Sequence, residues 1–391
     1  MLLNFIEVNI IEILVIINIL VLFQIYIIYP LSLSILAKIF NKPLKKNYTF
    51  EPDITIIISV YNEEKFIKDA VSSIYNSDYP KSKINVLIGS DGSTDNTNSI
   101  LEELSMVYPN LKYRIFPRIG KNNVLNELMK QVDTEILFFM DADIRLNPLS
   151  LKNLVHYLSD ESVGACISSM IIVEKKQNTG KQGEMNYQNY EKLMRLNESK
   201  ISSTVNSLGA FYGIKKEIYE PIPNQFVCDD LYPLYKAIIK KKRVIFSDEH
   251  PVIEVREKSL SDEFSRRVRL ASGGLATVKE CKQLLLPKYG WVSYFIWNHK
   301  LLRWFTPIFL IMLIILTFLL NINSWLFLPL IIFQLTLYFG ALIGLIFEKI
   351  GIRIWLFEIF LFIVSMNLGL LIGIKRFFTK EQNSIWERIY K

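Results

Sequence analysis

The chain has 391 residues, 51% of them hydrophobic, with 45 Lys and Arg against 38 Asp and Glu, giving a formal charge of +7. The apolar excess is gathered into blocks, which excludes a disordered chain, and the basic excess sits beside those blocks instead of forming a stripe interleaved with aromatics, which argues against nucleic acid as a partner. Three cysteines, Cys166, Cys228 and Cys281, fall in no paired spacing, which suits a reducing compartment and argues against a zinc cluster.

In chain order, residues 8–40 come first as a predicted transmembrane helix. Ile10 to Phe40 is almost continuously apolar, longer than the ~20 residues that cross a bilayer. It lacks a basic leading region and a small-residue cleavage site, so it reads as an anchor and not a signal peptide. Lys38, Lys42, Lys45 and Lys46 follow it, and by the positive-inside rule they put the next region in the cytoplasm.

Residues 50–283 read as one α/β domain. ITIIISV (54–60) is a continuous β-rich run, the mark of a strand buried on both faces in a parallel sheet. EKFIKDAVSSIYN (64–76) has helical spacing, with Ile67, Ala70, Val71 and Ile74 on one face. INVLIGS (84–90) is the next strand, and DNTNSILEELSMVY (95–108) a helix with a capping composition. LKYRIFP is a short strand, NVLNELMKQV a helix, and EILFFMDAD (135–143) a strand running into acids. Strand–helix alternation gives a doubly wound, mostly parallel sheet, whose ligands sit at the carboxyl ends of the strands. Three strands end in polar clusters, YNEE, DGSTD and DAD, a coincidence that plain surface turns do not predict.

Beyond the domain, residues 284–304 are aromatic, basic and too interrupted to span, and read as an interfacial helix lying on the membrane. Residues 305–322, 325–347 and 353–374 read as three transmembrane segments, and 375–391 as a basic tail. Four crossings would put Lys375, Arg376 and Lys380 on the side opposite a cytoplasmic domain, against the charge rule.

The chemistry concentrates in a few places. Asp141 and Asp143 alternate at a strand end, where two carboxylates repel unless a cation sits between or beside them. Mg²⁺ and Mn²⁺ take such carboxylates together with phosphate oxygens. Lys121, just before a helix, is placed to meet a diphosphate or to be a solvated loop lysine. Asp229 and Asp230 are adjacent acids in an apolar setting, readable as a general base or as a helix N-terminal pair. Arg266 and Arg269, at i and i+3, share a helix face that could grip a diphosphate, with Arg267 between them. His156, His250 and His299 are scattered and receive no role; Cys228 reads as a small packed residue.

SVYNEE, GSDGSTDNT, GKNNVLN, DAD, NSLGAFYGIKKEIY, CDDL and RRVRLASGG occur in the order found in family-2 glycosyltransferases. Over residues 54–274 the chain resembles the membrane-embedded group that includes poly-N-acetylglucosamine, hyaluronan, chitin and cellulose synthases, and the tail MNLGLLIGIKRFFTKEQNSIWER resembles the end of bacterial exopolysaccharide members. The resemblance implies a GT-A-type fold and an inverting transfer from a UDP-sugar, with Mg²⁺ or Mn²⁺. It implies that Tyr61, Glu63 and Asp91 border the nucleoside and that Lys121 lies near the diphosphate. It makes Asp141 and Asp143 the D-x-D of ribose and metal, and Asp230 the general base. Arg266 and Arg269 take two positions of the Q-x-x-R-W segment. That segment reads R-R-V-R-L here, with Leu270 where processive synthases carry tryptophan; Ser90 replaces an acid of the usual pattern, and Asp229 replaces a glutamate. The expected partners are a UDP-sugar, a glycan or lipid-linked acceptor, membrane lipids and export-complex subunits. The expected place is the inner membrane with the catalytic domain in the cytoplasm. Two readings stand beside this one: a polyprenyl-phosphate sugar transferase, which would need no deprotonating base, and a non-enzymatic membrane subunit.

Overall fold

The computed structural model describes residues 2–174, 181–224, 226, 230–256 and 260–381; Cys228, Asp229 and most of the expected basic tail lie outside them. The chain opens with α1 (Leu2–Phe23) and α2 (Tyr29–Ile39), joined by a π-helical turn at Gln24–Ile28. The central domain then runs β1 (Ile54–Val60), α3 (Ile67–Tyr75), β2 (Ile84–Asp91), α4 (Thr97–Val107), β3 (Leu111–Phe116), α5 (Lys121–Met129), β4 (Ile136–Met140), β5 (Ile144–Arg145), α6 (Ser150–Leu158), β6 (Val163–Glu174), α7 (Lys181–Ile201), β7 (Phe211–Lys215), α8 (Leu231–Ile239), β8 (Arg243–Arg256) and α9 (Leu260–Glu280). After it come α10 (Trp291–Phe295), α11 (Thr306–Leu319), α12 (Phe327–Lys349) and α13 (Trp355–Thr379).

One eight-stranded sheet orders these strands β3-β2-β1-β4-β7-β6-β8-β5. The pairs β3–β2, β2–β1, β1–β4 and β6–β8 are parallel, while β7 pairs antiparallel with both β4 and β6, and β5 with β8. The expected mostly parallel α/β sheet is therefore present. β1 is central because its run of Ile and Val is buried on both faces: Ile54, Ile56 and Ile58 join one apolar core and Ile57 the other. Ile54 stands in register with Ile84 on one side and Ile136 on the other, so the carboxyl ends of β1, β2 and β4 come out along one edge.

Helices α3 and α4 begin later than their periodicity predicts, at Ile67 and Thr97. Residues 62–64 and 93–97 instead hydrogen-bond each other: Thr94 N–H donates to Asn62 Oδ1 (2.8 Å), Glu63 N–H to Thr97 Oγ1 (2.8 Å) and Glu64 N–H to Asp95 Oδ2 (3.2 Å). Local side-chain acceptors win over another helical turn.

Among the described residues three helices are long and apolar enough to cross a membrane: Ile10–Ile39, Phe327–Lys349 and Trp355–Thr379. Over 305–322 stands the 14-residue α11, which with the Trp291–Leu302 helix before it, bent away by 59°, is long and apolar enough for a fourth, broken span. Residues 284–304 are short helical pieces, and Phe295, Ile296, His299, Lys300 and Arg303 are buried against the central domain rather than lying along its outside. The C-terminal half of α13 packs on α9: a Cβ at Gly373 would sit 2.6 Å from Ala271 Cβ, and the Lys279 amine lies 5.9 Å from the Phe377 ring. Lys375 and Arg376 thus end beside the central domain.

Candidate active site

Asp91 ends β2, 1% exposed, with its carboxylate committed to the loop after β3. Ile119 N–H donates to Oδ1 at 2.7 Å, Gly120 N–H donates to Oδ1 at 3.0 Å, and Arg118 pairs with Oδ2. Gly120 has φ +91°, a left-handed conformation that favours glycine, and the tight turn delivers Lys121 as the first residue of α5. The Arg118 guanidinium in turn lies 3.4 Å over the Tyr61 ring. Ser90, standing where an acid was the usual pattern, is buried and donates to the Ser93 hydroxyl (3.0 Å) inside the same turn. Neither Arg118 nor Ser90 carried a role in the sequence; a lone Arg after a strand gives no periodic or spacing signal.

Asp141 and Asp143 follow β4, both partly exposed. Lys121 Nζ donates to Asp141 Oδ1 at 2.7 Å, so the lysine and the first acid of DAD meet across the strand ends. Glu63 is 7% exposed, and Arg145 stands within electrostatic reach of both Glu63 and Asp143. Burial lowers the Arg145 pKa somewhat, against the pull of Asp69, Asp143 and Glu63. Among the described residues no group of three His, Cys, Asp or Glu side chains could hold a metal ion alone. Two hard carboxylates at a strand end do fit a cation that completes its shell with phosphate oxygens.

Asp230 is the N-cap residue of α8, yet its side chain makes no capping hydrogen bond. Its carboxylate points elsewhere: a Cβ on Gly209 would lie 3.1 Å from Asp230 Oδ2, and Gly209 has φ +77°. Asp141 N–H donates to the Ala210 carbonyl at 3.0 Å. The Asp230 carboxylate therefore adjoins residue 209, and the backbone of Asp141 adjoins residue 210. The two-residue lead-in to β7 brings them together, so Gly209 is a site residue that sequence reading left without a role.

Asp230 also lines a cavity of about 760 Å³ that runs towards α11, α12 and α13. Arg266 and Arg267 of α9 line it, and Arg269 is not among its lining residues. Arg266 stands 4.0 Å from Glu263, while Arg267, half-buried, donates to Glu263 Oε1 (3.0 Å) and to the Tyr187 hydroxyl (3.0 Å).

Next to this cavity lies a buried ionic seam. His299, read as having no role, is 3% exposed and bridges two glutamates of α7, with Nδ1 2.5 Å from Glu198 Oε1 and Nε2 3.0 Å from Glu191 Oε2. Glu191 also meets Arg303 (2.5 Å) and Arg195 (3.1 Å), and accepts from the Asn206 amide (2.8 Å). Glu198 accepts from the Tyr29 hydroxyl at 2.7 Å and from Val205 N–H at 3.2 Å. The seam thus grips residues 205 and 206, three positions before Gly209. Burial raises the pKa of both glutamates, but Arg303, His299 and Arg195 outweigh it for Glu191, as His299, Tyr29 and Val205 do for Glu198. Both end below the usual carboxylate range, Glu191 well below.

Residues 55–221 match the model of Glycosyl transferase family 2. The chain is 23% identical over 272 residues to a poly-β-1,6-N-acetyl-D-glucosamine synthase of Staphylococcus epidermidis, covering 65% of each protein. It is 30% identical over 165 residues to a β-monoglucosyldiacylglycerol synthase of a Nostoc species, 40% of this chain and 34% of that one. The matches thus span from about a third to just under two thirds of these curated relatives. The fold is shared with a solved structure of the mannosyltransferase PcManGT from Pyrobaculum calidifontis in complex with GDP-Man and Mn²⁺, at TM-score 0.72 and 20% identity, over 95% of this chain and 100% of that one. Asp230, Arg266 and Arg269 lie beyond the matched family segment.

Proposed function

We propose that this chain, which carries a glycosyl transferase family 2 domain, is an inverting membrane glycosyltransferase that moves a sugar from a UDP-sugar to an acceptor hydroxyl. One observation carries the reading. The lead-in to β7 holds the backbone of Asp141 through the Ala210 carbonyl and adjoins Asp230 through Gly209, so the first acid of DAD and a carboxylate lining a cavity meet one short segment.

In this reading the nucleoside lies beside Tyr61 and Glu63, next to the Arg118 guanidinium that stacks on the Tyr61 ring. Asp91 acts on the base site by fixing residues 118–120, and Lys121 moves from Asp141 to the diphosphate. Asp143, with Asp141, would hold Mg²⁺ or Mn²⁺, which when bound offsets charge on the departing diphosphate. Asp230 takes the proton of the acceptor hydroxyl as its oxygen bonds to the sugar's C1 opposite the leaving nucleotide. Arg266 adds positive charge on the acceptor side. The three long apolar helices and the lysines after the first of them support an integral membrane protein with this domain on the cytoplasmic side.

The test is the full chain in detergent, incubated with a panel of UDP- and GDP-sugars, divalent metal and membrane lipids, with mass analysis of products and a nucleotide-release assay. Transfer from one UDP-sugar, lost with Asp230→Asn, is expected. Transfer from a GDP-sugar alone would overturn the uridine assignment, and no nucleotide release from any donor would overturn the enzyme.

A further inference from the structure

The cavity of about 760 Å³ beside Asp230 lies within the ~300–1,000 Å³ range of sites that take ligands. Its far wall is hydrocarbon: Leu310, Phe333, Leu337, Phe360 and Met366, from α11, α12 and α13, of which α12 and α13 are each long and apolar enough to cross a membrane. Between that wall and Asp230 stands a band of cations. Lys300 donates to Asn206, three residues before the Gly209 that adjoins Asp230. Arg303 and Arg267 both donate to the Tyr187 hydroxyl (3.3 and 3.0 Å), and the Tyr187 ring lies 6.3 Å from that of Phe362 on α13. The band therefore reaches from the site to the apolar helices.

The charge of this band does not close. Among the described lining residues, Lys192, Arg195, Arg266, Arg267, Lys300 and Arg303 face three acids, Asp230, Glu191 and Glu263. Glu191 is shared by Arg195 (3.1 Å) and Arg303 (2.5 Å), and Glu263 by Arg267 (3.0 Å) and Arg266 (4.0 Å). Lys192 has Asp248, outside the lining, at 3.4 Å. Even with Asp248 counted, the cations outnumber the acids. Such a surplus beside an apolar wall is costly unless an anion joins it. Arg266 is placed to meet one: its side chain is 25% exposed, and the carboxylate at the edge of its reach is already held by Arg267.

A phosphate answers that demand, because its oxygens accept paired N–H bonds from a guanidinium. With Asp230 as the base, the group beside Asp230 is a hydroxyl, so the phosphate belongs at the band and an alkyl chain against the far wall. A soluble saccharide would leave that wall without a match, and an uncharged lipid would leave the cations unanswered.

We infer that the acceptor is a phosphate-linked lipid, with its hydrocarbon against α11–α13, a phosphate or diphosphate at the cation band and a head-group hydroxyl at Asp230. This rests on the glycosyltransferase reading above and narrows its acceptor.

The full chain in detergent would be given the nucleotide-sugar panel with five acceptors in turn: a polyprenyl-diphosphate-linked sugar, phosphatidylglycerol, a monoglycosyl-diacylglycerol without phosphate, bare polyprenyl phosphate and a water-soluble oligosaccharide. The first two separate a polyprenyl from a glycerolipid source of the same chemistry. Arg266→Gln would be assayed beside the parent, with nucleotide binding read separately as the report of folding. The expected result is transfer to one of the first two acceptors, with its KM about tenfold higher in Arg266→Gln and kcat kept. Nucleotide binding without transfer to either phosphate-linked acceptor, transfer onto the oxygen of bare polyprenyl phosphate, or an Arg266→Gln that binds nucleotide and keeps the parent's KM would overturn this inference and leave the glycosyltransferase standing. If Arg266→Gln loses nucleotide binding, the parent's choice among the five acceptors decides alone. A parent that neither binds nor releases nucleotide would overturn both.

Discussion

The donor side and the acceptor side of this molecule are built in opposite ways. On the donor side, polar loops follow single strands, and their contacts join residues about 20–35 apart: Asn62 with Thr94, Asp91 with Gly120, Lys121 with Asp141. On the acceptor side, α7 meets residues about a hundred positions later, Glu191 with Arg303 and Glu198 with His299, both nearly sealed from water. The donor side is partly wet, with Lys121, Asp141 and Asp143 partly exposed. The acceptor-side seam spends its charges on itself and in return holds residues 205–206, and so Gly209, in place. The first kind of region serves chemistry and the second serves position, so they should fail in different assays.

The sharpest way to sharpen that contrast is Asp230→Asn. The amide matches the carboxylate in size but accepts no proton at neutral pH. Transfer should fall about 10²–10⁴-fold while nucleotide affinity and melting temperature hardly change. Transfer at the parent rate would mean that another base acts, Asp229 being the first to try, or that the acceptor needs none. Asp143→Asn should also spare the fold. Turnover and divalent-metal-dependent nucleotide binding should drop on the order of 10²-fold, because a neutral amide is a poor ligand for a hard cation; full activity in excess chelator would remove the metal role.

Arg303→Met should do the reverse. It removes one buried cationic partner of Glu191, which keeps Arg195, His299 and Asn206, so the cost should approach but not exceed the about 3–5 kcal/mol of a fully broken buried pair. Melting of the detergent-solubilised protein should therefore shift strongly, before any assay of donor binding is affected. An unchanged melting temperature would show that the seam is not structural.

Gly209→Ala probes the joint between the two regions. The new Cβ would be strained at φ +77° and would press on Asp230 Oδ2 from 3.1 Å. Turnover should fall about tenfold through displacement of the base, with nucleotide affinity kept. A loss of nucleotide affinity instead would mean that the strain travels through Ala210 to Asp141.

This division also explains what was legible. Strands β1, β2 and β4 are short apolar runs with one reading, and the acids after them are adjacent in sequence, so fold and donor-side acids could be read directly. The start of α3 could not, because its first turn is given up to bonds with residues 93–97, a partner that periodicity does not see. His299 and Arg303 sit in an aromatic, basic run that looks interfacial, and only the fold reveals two glutamates opposite. Arg267 was visible beside Arg266, but the helical rule favoured Arg269, and which face of α9 meets the cavity depends on packing against α13. The burial of Cys281, which pushes its thiol up to about 12, likewise follows from packing and not from spacing.

The smallest expected effect concerns pH, and it separates the two regions once more. Glu191 and Glu198 have folded pKa values below the ordinary carboxylate value, because Arg303, His299, Arg195 and Tyr29 favour their charged forms more than burial disfavours them. A group with a depressed folded pKa contributes its stability above the unfolded pKa, ~4.3 for Glu, and loses it as pH falls through that value towards the folded one. Melting temperature should thus be flat from pH 7 to about 5 and should fall below that. In Glu191→Gln, less stable throughout, the fall below pH 5 should be shallower, because one of the two protonations has been removed. Asp143→Asn, on the wetter donor side, should keep the parent's slope. If Glu191→Gln keeps the full acid slope and Asp143→Asn flattens it, the pH-sensitive stability resides at the strand ends, and the assignment of position to one region and chemistry to the other fails.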